Sequence, residues 1–376
     1  MVCGHEGVHM MRMVFAAIFV AWTSVGASWG QAYPSSAVIK DEPVALRGGI
    51  PLARDTGVRK NMAQPSLPAL QPVNLVYADA TGSFRVLLTI AQQQGLFEKH
   101  GLEIHAVAAS GPIVPRVTKD VPVGLIGEPA AILQAAEGSD LRIVASFFRT
   151  RLSGHLVGQP DIQSASELRG RRIGVRVLGA GIWISTVLAL EQLGLSPSRD
   201  EIILVPVGSP VEILRALEEG AIDAALLPAA QSRRLKTLGY HVLLDDYPGD
   251  ITAYGGGLVV AAAYLESHPE LVEKVITALV EALAFCLAEK NSRSVMEAFR
   301  TSLGIADEET ARANLRELKP KPYPSRLDLA DMRKVMSLHD ARVLNVDIDQ
   351  LVDNRLVQKL DKEGTIDQLH EVMSRD

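Results

Sequence analysis

The residues best suited to hold a ligand follow predicted strands and begin predicted helices. In the first half of the chain they are Asp79, Thr81, Gly82, Ser83, Phe84, Ser110, Gly111, Glu128 and Pro129. In the second half they are Gly179, Ala180, Gly181, Trp183, Pro228 and Gln231. Helix N-termini attract anions, because their first N–H groups are unpaired and the helix dipole is positive there. The pattern favours a ligand site built from backbone amides, although small residues at helix starts also serve as plain caps and turns.

Glu128 and Trp183 have the most specific chemistry among these candidates. A carboxylate at a strand end can accept a hydrogen bond from an amine or amide on a ligand, or it can simply complement a helix N-terminus. If Glu128 faces a cleft, repulsion between like charges disfavours a plain inorganic anion. We then expect a small organic solute that carries an amino group or a ring nitrogen. Trp183 follows a glycine turn and is either a platform for a ligand or part of the core.

Patterns for catalysis, cofactors and metals are weak. After Gly179 and Gly181, Ile184 stands where the third glycine of a dinucleotide-binding loop belongs. The histidines are scattered without zinc-binding spacing, and the two cysteines, Cys3 and Cys286, are far apart in the sequence. We therefore predict no catalytic residue, no metal site and no cofactor, and we predict that the chain is not an enzyme.

The composition is that of an ordinary globular protein. The chain has 376 residues, of which 47% are hydrophobic and 22% charged, and its net charge is −6. It lacks the basic patch of a nucleic-acid-binding protein, so no nucleic-acid partner is predicted. Apolar residues 14–27 have the length of a signal-peptide core rather than of a membrane span. We predict a signal peptide at 1–32 and a proline-rich, disordered linker at 33–72.

The candidate residues require two series of alternating strands and helices to position them. One series spans residues 73–147 and the other residues 171–244, and each predicts a parallel sheet covered by helices. An apolar strand at 258–263 has no sheet of its own, so we predict that it returns to the first sheet. Crossings near 154–166 and 246–256 would then form a two-strand hinge. The expected organisation is lobe I at 73–155, lobe II at 156–250, and a return to lobe I with extra C-terminal helices at 251–376.

Four segments, in this order, resemble the periplasmic substrate-binding proteins of ABC importers for nitrate, sulfonates, taurine and thiamine-pyrimidine precursors. The resemblance covers roughly residues 73–300 and rests on 90–104, 168–175, 217–224 and 265–272. Residues 117–123 depart from the family, which usually repeats a leucine-glycine-aspartate pattern there. Beyond about residue 305 the chain shows no resemblance.

The resemblance implies an α/β, type II periplasmic binding protein-like fold with two parallel-sheet lobes, a two-strand hinge and extra C-terminal helices. It implies a periplasmic monomer that passes a small-molecule solute to an ABC permease at the inner membrane, held by the loops named above. Two alternatives stay open. One is an enzyme that makes the thiamine pyrimidine, although the cysteine-rich motif of that branch is missing. The other is a module that senses a ligand or binds a partner.

Overall fold

The computed structural model describes residues 69–78, 82–109, 115–245 and 251–374. The predicted signal peptide lies outside these ranges, and so does the predicted linker except for its last residues, where the first strand begins at Gln71. Four predicted site residues also lie outside them, namely Asp79, Thr81, Ser110 and Gly111. No described helix is long and apolar enough to cross a membrane.

The first sheet has five strands in the order β2-β1-β3-β10-β4. Its strands are β1 (Gln71–Ala78), β2 (Leu102–Ala109), β3 (Val123–Gly127), β4 (Leu141–Arg151) and β10 (Thr252–Ala261). The connecting helices are α1 (Gly82–Gln93), α2 (Leu96–Lys99) and α3 (Glu128–Ala136). A proline in the first turn of α3 is favourable, because an N–H at that position would have no partner in the helix.

The second sheet also has five strands, in the order β7-β6-β8-β5-β9. They are β5 (His155–Gly158), β6 (Arg172–Val175), β7 (Ile203–Pro206), β8 (Ala224–Leu227) and β9 (His241–Leu244). Its helices are α4 (Gly181–Gln192), α5 (Pro210–Glu218) and α6 (Ala229–Thr237). A capping box between Ser209 and Glu212 starts α5, which satisfies two N–H groups that the helix itself cannot pair.

The chain crosses between the sheets twice, after β4 and again before β10. Strand β10 lies between β3 and β4 and runs antiparallel to both, with Leu258 opposite Leu125 and Ala145. Strand β5 likewise runs antiparallel to its neighbours β8 and β9. Both sheets are therefore mixed, whereas strand–helix alternation alone predicted parallel ones. Strands β5 and β10 each follow a crossing from the other sheet. No right-handed crossover within one sheet therefore precedes them, and it is such a crossover that makes neighbouring strands parallel. We call the part built on the first sheet lobe I and the part built on the second sheet lobe II.

The chain beyond β10 is helical. Its helices are α7 (Ala262–Ser267), α8 (Pro269–Leu287), α9 (Ser292–Leu303), α10 (Glu308–Arg316), α11 (Arg326–Met336), α12 (Ile348–Leu351), α13 (Arg355–Lys362) and α14 (Thr365–Ser374). Helix α8 is buried along most of its length and shares the main apolar core of lobe I with α1. Cys286 lies in this core, where burial raises the pKa of its thiol.

Residues 317–322 cover the edge strand β4. Leu318 forms an antiparallel bridge with Phe148. Three backbone hydrogen bonds hold the segment: Arg149 N to Glu317 O (2.9 Å), Lys319 N to Phe147 O (2.8 Å) and Ser146 N to Pro322 O (2.8 Å). An uncovered edge would leave these backbone groups open to other chains, so the C-terminal region completes the sheet.

An apolar cluster joins the two lobes. It contains Trp183 and Ile184 of α4, Ile132 of α3, and Met332 and Met336 of α11. Helix α4 belongs to lobe II, whereas α3 belongs to lobe I. The lobes therefore pack against each other through side chains as well as being linked by the two crossings.

Candidate functional site

A cavity of about 230 Å³ lies between the two lobes. Lobe I contributes Ala78, Pro115, Gly127, Pro129, Ala130, Phe148, Thr150 and Tyr254. Lobe II contributes Arg176, Val177, Ala180, Gly181, Ile182 and Pro210. Helix α10 and the residue that follows it contribute Asn314 and Glu317. Three parts of the chain thus meet at one space, which is where open α/β folds bind their ligands.

Two helix N-termini, one from each lobe, face this cavity. Helix α3 begins directly after β3 with Gly127 as its N-cap, and α4 begins after β6 with Ala180 as its N-cap. Neither N-cap residue makes a side-chain hydrogen bond to its helix. The first-turn N–H groups of these helices are therefore not capped by those side chains. Such groups can bind an anionic or carbonyl oxygen of a ligand.

Glu317 is the acidic side chain of the cavity wall. Its Oε2 accepts a hydrogen bond from the Ser83 hydroxyl at 3.3 Å, and its carboxylate also accepts one from Thr150. Burial raises the pKa of Glu317 to about 7, because the loss of water outweighs both hydrogen bonds. The group can therefore exchange a proton near neutral pH.

Tyr254 lies within the field of two charged side chains of the described lining, Glu317 and Arg176. Burial and, to a lesser extent, the negative charge of Glu317 raise the pKa of its hydroxyl to about 12, and the positive charge of Arg176 opposes both effects. The hydroxyl also shares a hydrogen bond with Thr150. Tyr254 is therefore neutral at physiological pH and can donate or accept a hydrogen bond.

Aromatic rings form the apolar side of the wall. Phe148 packs edge-on against Phe84, with ring centroids 4.6 Å apart, and lies 6.5 Å from the ring of Tyr254. The Tyr254 ring reaches lobe II, because Gly181 has no side chain: a Cβ placed there would lie 2.5 Å from the ring. Gly181 therefore permits the close approach of the two lobes at the cavity.

Five of the predicted residues are at the cavity or directly behind it. Pro129, Ala180 and Gly181 line it. Ser83 hydrogen-bonds Glu317, and Phe84 packs against Phe148, so both support lining residues from α1. These residues come from three different helix starts, and the sequence analysis selected them by that property.

Other predicted residues lie elsewhere in the described structure. Gly179 has a φ of +74° and faces His339 and Leu133. Trp183 is buried in the interlobe cluster, 5.7 Å from the His339 ring, which matches its interpretation as a core residue. Pro228 and Gln231 begin α6 and do not line the cavity, and Gly82 begins α1.

The Glu128 carboxylate points away from the cavity. It is 3% exposed and accepts a hydrogen bond from the Ser146 hydroxyl at 2.8 Å, in a separate space of about 10 Å³ that Lys319 also lines. The next residue, Pro129, faces the cavity instead, since successive residues at a helix start point in different directions. A ligand contact at Glu128 requires that its carboxylate face the cleft. In this geometry the carboxylate does not face it.

Sequence reasoning missed the polar groups of the cavity. Arg176 directly follows β6, so its position at a strand end was a usable signal. Thr150 and Tyr254 lie on long strands, where alternation alone does not show which face meets lobe II. Asn314 and Glu317 lie beyond the region of family resemblance, and nothing local indicated their role. Within the described ranges, no group of three His, Cys, Asp or Glu side chains could hold a metal ion.

Solved structures similar to this chain include two solute-binding proteins. The alkanesulfonate-binding protein SsuA of Xanthomonas axonopodis pv. citri, bound to MOPS, is 19% identical with a TM-score of 0.58, covering 77% of this chain and 100% of its own. The nitrate-binding protein NrtA of Synechocystis PCC 6803 is 13% identical with a TM-score of 0.58, covering 81% and 92%. The chain therefore has the type II periplasmic binding protein-like fold that the sequence predicted.

Residues 86–292 match the model of the NMT1/THI5 like family. The chain belongs to this family, as the four resembling segments indicated. A Brucella abortus relative, whose name describes a binding protein without its ligand, is 26% identical over 280 residues, covering 71% of this chain and 85% of its own. A Haemophilus influenzae relative named for thiamine biosynthesis is 28% identical over 143 residues, which is 37% of this chain and 44% of that relative.

Proposed function

We propose that this protein captures a small organic solute in the cavity between its lobes and delivers it to the permease of an ABC importer. In this proposal the chain is exported by its N-terminal signal peptide, acts in the periplasm as a monomer and needs no cofactor. The observation that carries the proposal is the interlobe cavity, because one ligand there contacts both lobes at once. The importer role is supported by the fold shared with sulfonate-binding and nitrate-binding proteins.

The lining suits reversible binding of a solute. Two helix N-termini and Arg176 offer hydrogen-bond donors to an anionic group, and Phe148 and Tyr254 offer apolar surface. The volume of about 230 Å³ lies below the usual range of pockets for drug-sized ligands. A compact solute with one anionic group is the best match to this space.

Binding at this position would favour the closed arrangement of the lobes. A ligand shifts an equilibrium only by its difference in affinity between the two states, and a solute that contacts both lobes gains its full set of contacts only when they are together. The permease would then distinguish loaded from empty protein by the relative position of the two lobes. The crossing after β4, between Arg151 and the start of β5 at His155, is a described segment that would bend.

The enzymatic alternative lacks a supporting observation in the cavity. The described lining side chains include no Cys, His or Lys, and Cys286 is buried in the core of lobe I. Burial of its thiol disfavours the reactive thiolate. A solute-binding role is therefore the one that the chemistry of the lining supports.

Isothermal titration calorimetry of the purified chain tests the proposal, with nitrate, taurine, ethanesulfonate and an aminopyrimidine as probes. We expect an organic probe to bind, and Arg176→Gln to weaken that binding by roughly 10- to 100-fold through loss of a charged hydrogen bond. Arg233→Gln is the matched control, because Arg233 is an exposed arginine of lobe II. Tight binding of nitrate in preference to every organic probe would refute an organic solute.

Mass spectrometry of the chain purified under native conditions is the complementary measurement. A solute bound at 100 times its Kd stabilises the folded state by about 2.7 kcal/mol, so any carried compound should also raise the melting temperature when added back. A compound that copurifies with wild type but not with Arg176→Gln would identify the solute directly.

A further inference from the structure

Building on the proposed function, we propose that the C-terminal region selects the class of solute. Glu317 holds the protonated amine of a zwitterionic solute, while Arg176 faces its anionic end. The site would thus require both an anionic group and a cationic amine on one compact molecule. Neither the family match, which ends at residue 292, nor the resemblance in sequence reaches Glu317.

Backbone pairing holds Glu317 firmly at the cavity. Its carbonyl accepts a hydrogen bond from Arg149 N at 2.9 Å, and the following residue, Leu318, bridges to Phe148 on the same strand. Its own N–H donates to Asn314 O at the end of α10. A helix end and a sheet edge therefore fix the residue from both sides, and a side chain on such rigid elements can position a ligand accurately.

The Glu317 carboxylate retains capacity for a ligand. An ionised carboxylate can accept about four hydrogen bonds, whereas Ser83 and Thr150 supply the protein contacts to this one. The effects that lower its pKa are the hydrogen bonds from Ser83 and Thr150, and burial outweighs them, so the pKa is raised to about 7. A bound ammonium group would supply a positive charge and favour the ionised form.

The cavity brings together groups of opposite charge from two parts of the chain. Glu317 of the C-terminal region and Arg176 of lobe II both line it. Both also act on Tyr254, because Glu317 raises the pKa of its hydroxyl and Arg176 lowers it. A zwitterion would place its anionic group toward Arg176 and its ammonium group toward Glu317, whereas a simple anion would be repelled by Glu317 once that carboxyl ionises.

Proton release should accompany the binding of such a solute. Below the pKa of about 7, most Glu317 side chains carry a proton in the empty protein, and an ammonium group would displace it. Affinity for the amine should therefore rise as pH increases toward about 7 and then level off. Of the charged and titratable groups that face Glu317, Arg176 and Tyr254 keep their protonation state over this range.

Matched pairs of probes test the inference by calorimetry. Taurine and ethanesulfonate differ only in the amine, as do 3-aminopropanoate and propanoate. We expect wild type to bind the amine-bearing member of at least one pair roughly 10- to 100-fold more tightly. At about pH 6, titrations in buffers with different ionisation heats should show release of nearly one proton per amine bound.

Glu317→Gln keeps the size of the side chain and removes the charge. We expect it to abolish both the preference for the amine and the proton release, and to keep the remaining affinity for the anionic end. Glu308→Gln is the matched control, since Glu308 lies on α10 but is exposed and paired with Arg312; it should behave like wild type. Equal affinity within both pairs, or unchanged behaviour of Glu317→Gln, would overturn the inference.

Failure of the inference is distinguishable from failure of the proposed function. If wild type binds nitrate or an aminopyrimidine but neither amine-bearing probe, solute binding stands and the zwitterion class is wrong. If wild type binds none of the probes and carries no compound through purification, the proposed function fails first.

Discussion

Glu128, which is buried, and Glu317, which is half-buried, are carboxylates with similarly raised pKa values in different surroundings. Burial raises the pKa of each to about 7. Glu128 lies in a space of about 10 Å³, hydrogen-bonded to Ser146 and within the field of Lys319. Glu317 lines a cavity of about 230 Å³, and the effects that lower its pKa are hydrogen bonds from Ser83 and Thr150 rather than the field of a cation.

The difference in surroundings indicates that Glu128 is a structural carboxylate and that Glu317 is available to a ligand. Glu128 and Lys319 join β4, β10 and the C-terminal region inside lobe I, and burial lowers the pKa of Lys319 in turn. A raised pKa therefore does not by itself identify a binding residue. Free volume beside the group, together with the lack of an effect from Lys319 on its pKa, distinguishes Glu317 from Glu128.

The largest expected effect is on the pH dependence of stability at Glu128. Its folded pKa of about 7 exceeds the ordinary value of 4.5, so the folded state holds the proton more tightly than the unfolded chain. The stability that the protonated form contributes is present below about pH 4.5 and is lost as pH rises through about 7. Relative to Glu128→Gln, wild type should lose about 3 kcal/mol of unfolding free energy across this range.

Urea denaturation of both proteins at several pH values between about 4.5 and 8 measures this loss. Glu309→Gln serves as a control for the removal of one charge, because Glu309 is 73% exposed. Parallel stability profiles for wild type and Glu128→Gln would show that the Glu128 site is open to water, and the contrast with Glu317 would disappear.

An intermediate effect is expected where the cavity meets Gly181. A methyl group at this position would lie 2.5 Å from the Tyr254 ring, so Gly181→Ala should force the ring into the space beside Glu317. We expect a loss of about 1–3 kcal/mol in stability from overpacking, together with weaker solute binding. The pH dependence that arises at Glu128 should remain.

Gly127→Ala is the matched control for this prediction. Gly127 also lines the cavity, but a methyl group there would meet Pro129 Cδ at 3.5 Å, which is an ordinary contact. Urea denaturation compares the stability of the two variants, and calorimetry compares their affinity for the solute. Equal effects of the two substitutions would mean that cavity volume matters and the position of Tyr254 does not.

The smallest effect is expected at a third carboxylate, which is neither buried nor enclosed. Glu309 of α10 lies 3.7 Å from Arg233 of lobe II, with 73% and 62% of these side chains exposed. Exposed ion pairs contribute about 0–1 kcal/mol, so Glu309→Gln should change the unfolding free energy by no more than about 0.5 kcal/mol. A loss above about 1 kcal/mol in urea denaturation would show that this contact fastens the C-terminal region to lobe II.

The sequence alone determined the local elements and the family. Alternating strands and helices predicted the two lobes, since apolar periodicity and helix caps are local properties of the chain. Helix starts selected Pro129, Ala180 and Gly181, which line one cavity although β3 and β6 belong to different sheets.

Only the tertiary structure decided which charges meet in the cavity. Ser83 and Glu317 are 234 residues apart, and their contact depends on the pairing of residues 317–322 with β4. The direction of Glu128 depended on which side of α3 faced lobe II. Burial, and hence the pKa of both carboxylates, depends on packing between distant segments, whereas periodicity describes only neighbours along the chain.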